Sequence, residues 1–134
     1  MQTYLDLKNK KSEKYNKLID DSKIFFAFSN DRFKEKVDKL GEKVVDIGAG
    51  GFCPSSKVKE FSSGIKNIEA WHKKTMAELK EKEAFKNKAI AYELNNHECY
   101  YTGEIEDVVE FFKGVYTLED IKKVYKKNVD KFDY

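Results

Sequence analysis

Apolar positions recur at helical spacing along most of the chain, and short apolar runs interrupt that rhythm at a few places. Tyr4, Leu7, Tyr15 and Leu18, with Ile19 beside the last, predict a first helix that starts at an N-cap Thr3 and ends near Asp21. Lys11 interrupts this stripe, so fraying is expected before residue 11. The phenylalanine-rich run KIFFAF, residues 23–28, reads as a strand buried on both faces. Ser29 then caps a helix whose Phe33, Val37 and Leu40 fall at i, i+4, i+7, and Gly41 is placed to end it.

A second strand, KVVDIG over residues 43–48, runs into the glycine-rich turn Gly48, Ala49, Gly50, Gly51. Pro54, Ser55 and Ser56 announce another helix start. From there Val58, Phe61, Ile65, Ile68, His72, Met76 and Leu79 form the seam of a long amphipathic helix, which Gly64 is expected to break or bend. A further helix over 84–96 carries Phe85, Ala89, Ile90 and Leu94, and ECYYTG, residues 98–103, reads as a third strand or extended segment. Ile105, Val108, Val109 and Phe112 predict a helix ending by Gly114. Thr117 with Asp120 marks the start of a last helix striped by Leu118, Ile121, Tyr125, Val129 and Phe132.

The predicted order is α-β-α-β-α-α-β-α-α. This is an α+β fold, a small three-stranded antiparallel or mixed sheet packed with five or six helices, and its strand order is not readable. A length of 134 residues without repeat, low-complexity tract or linker predicts a single domain over 1–134.

Charge changes the functional picture more than it changes the fold. Charged residues make up 37% of the chain, but 26 basic residues nearly balance 24 acidic ones, and Arg32 is the only arginine. A strong nucleic-acid binder concentrates positive charge, and base or phosphate recognition leans on the planar arginine fork. Direct nucleic-acid binding is therefore disfavoured. Lys122, Lys123, Lys126 and Lys127 lie off the apolar stripe of the last helix and read as a solvated face. The polar, charged N-terminus and the lack of a long apolar run predict a soluble, intracellular protein with no membrane partner. Two cysteines in that setting are thiols rather than a disulfide framework.

Several residues carry candidate chemistry. Gly48, Gly50 and Gly51 form a loop whose amides are placed to approach an anion, although the turn matches neither the dinucleotide fingerprint nor the P-loop. The blander expectation is a strand-to-helix connection with positive φ at one or two glycines. Cys53, before a helix start, combines on paper with His97 or His72 as base and Glu98 as orienting carboxylate into a thiol-enzyme set. Cys53, His72, His97 and Cys99 are enough for a tetrahedral zinc, but their spacing lacks the paired ligands of structural sites. No catalytic set, metal site or cofactor is assigned. His72 and His97 continue apolar helix faces and read as partly buried histidines satisfied by hydrogen bonds.

The stretch AYELNNHECYYTG, residues 91–103, concentrates one of two histidines, one of two cysteines and three of eight tyrosines. If the helix continues, Glu93 and His97 are i, i+4 neighbours, and Asn95, Asn96 and His97 make a helix terminus. Its functional reading is a protein-binding patch of Asn95, Asn96, His97, Glu98, Tyr100 and Tyr101. Strand alternation would turn only one of the two tyrosines to a given face.

FFAFSNDRF (25–33), DIGAGGFCP (46–54) and AIAYELNNHECYYTGEIEDVVEFF (89–112) together resemble a family of small uncharacterised proteins of bacterial phages, plasmids and integrative elements. The pattern is carried by Phe26, Phe28 and Ser29, by Gly48, Gly50 and Gly51, and by Tyr92, Glu93, Leu94, Asn96, His97 and Glu98, and spans about residues 20–113. Proteins of this kind include anti-CRISPRs. The resemblance implies a cytoplasmic inhibitor, in the bacterial host cell, of a defence nuclease, one that binds a Cas effector stoichiometrically rather than acting as an enzyme. The alternative is a small thiol enzyme or nucleotide-binding protein using the glycine-rich turn with Cys53, His97 and Glu98. A plasmid-maintenance or scaffold role is a third reading.

Overall fold

Local capping chemistry sets several helix ends. The structure, a computed structural model, describes residues 2–131. Helix α1, Tyr4–Asp21, begins where the Thr3 hydroxyl accepts from the Asp6 amide and the Asp6 carboxylate accepts from the Thr3 amide, each at 3.1 Å. This reciprocal cap keeps the helix intact through Lys11, so the expected fraying does not occur. Helix α2, Asn30–Leu40, starts with the Ser29 hydroxyl accepting from the Arg32 amide and ends at Gly41, in the left-handed region at φ 69°.

Strand β1 is only Phe25–Phe26, much shorter than the expected run over 23–28. Lys23, at φ 56°, turns the chain just before it. The run is not buried on both faces, since Phe26 and Phe28 are exposed. Strand β2, Val44–Gly48, falls where the sequence places it, and β3, Gly51–Pro54, follows directly. The sheet is antiparallel in the order β1-β3-β2, with Phe25 opposite Phe52, Phe26 opposite Gly51 and Val45 opposite Cys53.

The glycine-rich segment is therefore a hairpin turn between two strands and not a strand-to-helix connection. Gly48 pairs with Gly51, leaving Ala49 and Gly50 as a two-residue loop at φ 52° and 78°. Positive φ at both loop residues matches the right-handed twist of a hairpin. The helix start after Pro54 is real: a 3-10 turn at Ser55–Lys57 leads into α3, Val58–Leu79. Gly64 neither breaks nor bends α3 out of helical geometry; its missing side chain makes room for Leu18 of α1.

Helix α4 is Glu83–Asn96, α5 is Cys99–Thr102, α6 is Glu106–Phe111 and α7 is Leu118–Asn128, the last followed by a 3-10 turn at Val129–Lys131. The segment 98–103 is thus helical and not a third strand, the correction that moves the strand to 51–54. Helix α7 carries the predicted capping box: the Thr117 hydroxyl accepts from the Asp120 amide and the Asp120 carboxylate from the Thr117 amide. Its inward residues are Ile121 and Val124, while Leu118 is exposed; Phe132, the last residue of the expected stripe, lies outside the described residues. Seven α-helices and one three-stranded sheet among the described residues make the fold α+β.

The chain divides into two compact units. The helical unit comprises Met1–Leu7 and Lys74–Tyr134, and the sheet unit comprises Lys8–Lys73. In the helical unit α4 packs against α5, α6 and α7. Phe85, Ala89, Ile90 and Leu94 of α4 are buried with Val108, Phe112, Ile121 and Val124. Each large apolar side chain so buried contributes about 1.5–3 kcal/mol. In the sheet unit Phe52 is the centre of an aromatic group, with the Phe25 ring stacked at 5.6 Å and the Phe33 ring of α2 at 4.7 Å.

Candidate functional site around the end of helix α4

The motif Tyr92-Glu93-Leu94-Asn95-Asn96-His97-Glu98 is the last turn of α4 and its exit. Glu93 lies on the buried face of the helix and is fully inaccessible. A carboxyl so placed needs hydrogen-bond partners, and two side chains supply them. The Tyr4 hydroxyl donates to Glu93 Oε2 at 2.6 Å, and the Asn96 amide donates to Oε1 at 3.4 Å. His97 Nε2 is 4.0 Å from Oε1, an ion pair when the imidazole is protonated. Tyr4 is itself held among the rings of Phe85, Tyr92 and Phe112 at 5.7–6.3 Å. Burial first, and then the hydrogen bond to Glu93, push the Tyr4 phenol far above its ordinary value.

Helix α4 ends where the sequence places its terminus, at Asn95, Asn96 and His97, and only the left-handed residue differs. His97 caps the helix with its amide donating to the Glu93 carbonyl at 2.9 Å, and Glu98, not an asparagine, takes the left-handed conformation at φ 57°. Such a backbone is uncommon for a residue with a side chain and persists only where its surroundings impose it. Helix α5 follows at once and closes on Gly103, whose amide donates to the Cys99 carbonyl at 2.8 Å.

The helical turn separates the two tyrosines more sharply than strand alternation would. Tyr100 is buried and stacks on Tyr125 at 5.5 Å with rings nearly parallel, so it is no part of an accessible patch. Tyr101 is 68% exposed. Asn95, Asn96 and Glu98 are also exposed, and His97 is half-buried with its ring 5.8 Å from Phe111. Phe111, 51% exposed, is the residue sequence reasoning missed. The signal was there: Phe111 is the last residue of α6 and Phe112 follows it as the cap, and about 100° of rotation between neighbours cannot turn both toward one core. Phe112 is the inward one.

The other candidates are placed differently. Gly48, Gly50 and Gly51 serve the hairpin and close packing: a side chain on Gly50 would collide with the Phe28 ring, and Gly51 is flanked by Phe26 and Ile47. The Gly48 amide donates to the Asp46 carboxylate at 2.8 Å, which puts negative charge where an anion would sit. Cys53 belongs to the sheet unit, whereas His97 and Glu98 belong to the helical unit. Its thiol is buried, lies 3.5 Å from the Pro54 carbonyl, and is pushed above its ordinary pKa by burial and then by the Glu42 charge, which disfavours the nucleophilic thiolate.

Cys99 is likewise buried and raised by desolvation. Among the described residues no group of three or more His, Cys, Asp or Glu is arranged to hold a metal ion. His72 is not the satisfied histidine expected, because its buried Nδ1 has no hydrogen-bond partner among the described residues; desolvation, followed by Lys11, lowers its pKa. No helix among the described residues is long and apolar enough to cross a membrane.

Comparison with known proteins adds a family and no activity. No curated protein and no solved structure matches the chain. Residues 4–131 match the model described as "Family of unknown function (DUF7659)", a wider span than the motif-bearing stretch of about 20–113. With nearly the whole described length matched, the chain belongs to the DUF7659 family.

Proposed function

We propose that the chain is a protein-binding inhibitor that acts by stoichiometric occupancy, and that its target is a bacterial defence nuclease, a CRISPR effector. The observation that carries the binding role is the surface at the end of α4. Tyr101, one short helical turn after the exposed Asn95, Asn96 and Glu98, presents a large exposed ring, and so does Phe111, whose ring lies 5.8 Å from that of His97. Aromatic anchors with a polar surround are the composition that concentrates binding energy at protein interfaces.

Preorganisation supports the same reading. The Tyr4–Glu93 hydrogen bond holds the last turn of α4, and left-handed Glu98 with Gly103 holds the turn that carries Tyr101. A rigid surface loses less conformational freedom on association. A near-neutral balance of 26 basic and 24 acidic residues fits docking on a folded protein domain better than imitation of a polyanion. The choice of target rests on the resemblance to small proteins of mobile elements, some of which are anti-CRISPRs.

Gel filtration of purified effector–guide complexes with the chain tests this reading. Co-elution at equal molar amounts, weakened at least tenfold by Tyr101→Ala or Phe111→Ala, is expected. Co-elution unaffected by both substitutions would place the interface elsewhere, and absence of co-elution with effectors of several types would overturn the target class.

A further inference from the structure

The near-neutral balance of the whole chain conceals one stretch without lysine or arginine. Of the 26 such residues none lies between Lys88 and Lys113, which frame the exit of α4, α5 and α6. Over the same stretch Glu98, Glu104, Glu106, Asp107 and Glu110 are exposed, and none of them forms an ion pair among the described residues. Elsewhere lysines answer carboxylates, as Lys86 does Asp120 at 2.7 Å and Lys11 does Glu69 at 3.4 Å. Helix stability does not account for all of this charge. Glu106 and Asp107 sit in the first turn of α6, where the helix dipole favours them. Glu110 sits in the last turn, where the dipole disfavours it, and repels Glu106 at i, i+4.

These carboxylates share the outward side of α6 with an aromatic ring. Val108 and Phe112 are buried, which leaves Glu106, Asp107, Glu110 and Phe111 exposed on the side turned away from them. The Phe111 ring lies 5.8 Å from the His97 ring, so this side continues to the exit of α4. There Glu98 leads into the α5 turn that carries Tyr101. Guanidinium and ammonium groups match such a face twice over, pairing with a carboxylate and lying over a ring. A folded protein that concentrates those groups in one patch is built to hold nucleic acid.

We propose that this face docks on the Lys- and Arg-lined nucleic-acid-binding surface of its protein partner. The inference rests on the inhibitor reading and sharpens it, because the chain then competes with the partner's nucleic acid. A few carboxylates around two rings do not imitate a polyanion along its length; they steer and orient one protein contact.

Two measurements test this. In the first, the affinity of the chain for effector–guide complexes is measured at low and at raised salt, with and without bound target DNA. Raised salt should weaken binding about tenfold, as should Glu106→Gln combined with Glu110→Gln, and bound target DNA should abolish it. Lys122→Gln with Lys126→Gln, on the solvated face of α7, should leave the affinity unchanged. Binding that withstands both the salt and the neutralised pair overturns the inference and leaves the inhibitor reading intact, as does unchanged affinity with target DNA in place. The second measurement needs no effector: the isotope-labelled chain is titrated with a hexa-arginine peptide and its amide resonances are followed. Saturable shifts largest over residues 98–111 are expected. Shifts no larger there than around Glu78, Glu81 and Glu83, where Lys80 and Lys82 intervene, overturn the inference. Failure to bind any effector defeats the choice of target alone, and the peptide titration then decides whether the face takes a basic partner.

Discussion

Tyr4 and Glu93, 89 residues apart, share a buried hydrogen bond of 2.6 Å that ties the first turn of α1 to the last turn of α4. The glutamate of the Tyr-Glu-Leu-Asn-Asn-His-Glu stretch therefore has a structural role. Glu93 faces inward and holds Tyr4, Asn96 and His97 about it, leaving the neighbouring exposed residues to face solvent.

Tyr4→Phe removes the 2.6 Å hydrogen bond to the Glu93 side chain and keeps the ring packing. A buried polar group that loses a partner costs about 1–3 kcal/mol. The urea midpoint should fall accordingly with the slope unchanged. A loss below about 0.3 kcal/mol would show that the hydrogen bond contributes little net stability.

Alkaline pH should destabilise the fold. Tyr116 is pushed up to about 12 by burial and then by the charges of Glu81 and Asp120, and Tyr4 is pushed higher still by burial and by Glu93. An unfolded tyrosine ionises near 10, so above about pH 10 the unfolded chain has released protons the native chain retains. The stabilisation is complete below pH 10 and is lost as pH rises through the native values. Thermal unfolding should therefore show Tm falling between about pH 9.5 and 11.5, less steeply in Tyr4→Phe; a flat Tm over that span would contradict the burial of these phenols.

Relieving the hairpin should stabilise the sheet unit. Ala49 sits at φ 52° in the first loop position, where a left-handed backbone costs a residue with a Cβ about 1–2 kcal/mol. Asparagine tolerates this conformation and precedes glycine in the favoured two-residue turn. Ala49→Asn should raise stability by about 0.5–1 kcal/mol, read as a higher urea midpoint; a lower midpoint would mean the loop is not built as described.

Both thiols should be inert in the native protein. Cys53 and Cys99 are buried, with pKa values raised by desolvation. Ellman's reagent at pH 8 should label neither on the timescale of minutes and both after denaturation. Rapid labelling of Cys53 in the folded chain would revive a thiol-enzyme reading.

What the sequence made legible was local. Ser29 with Gly41, and Thr117 with Asp120, mark helix ends because capping uses hydrogen bonds between residues a few positions apart. Strand β3 escaped notice because Gly51-Phe52-Cys53-Pro54 has neither alternation nor β-branched residues; its pairing with two flanking strands makes it a strand. The opposite error occurred at ECYYTG, whose aromatic content favours a strand in isolation. There Tyr100 stacks on Tyr125 and left-handed residues at 98 and 103 bound a helical turn, so tertiary packing overrides local preference. In the candidate site, the i, i+4 relation of Glu93 and His97 was foreseeable, whereas which of Tyr100 and Tyr101 faces outward was not, because that depends on a helical turn where a strand was expected. The partner of Glu93 was not foreseeable either, since no local spacing points from residue 93 to residue 4.

Stoichiometry is the most direct measure of the proposed inhibition. A CRISPR effector loaded with its guide, held at fixed concentration well above the dissociation constant, is titrated with the chain while target cleavage is measured. The inhibitor reading predicts a linear fall in cleavage that ends at an equal molar amount of chain, with the break displaced by Tyr101→Ala. Cleavage that persists at large excess for every effector type, or that vanishes at a small fraction of the effector concentration through turnover, would contradict it.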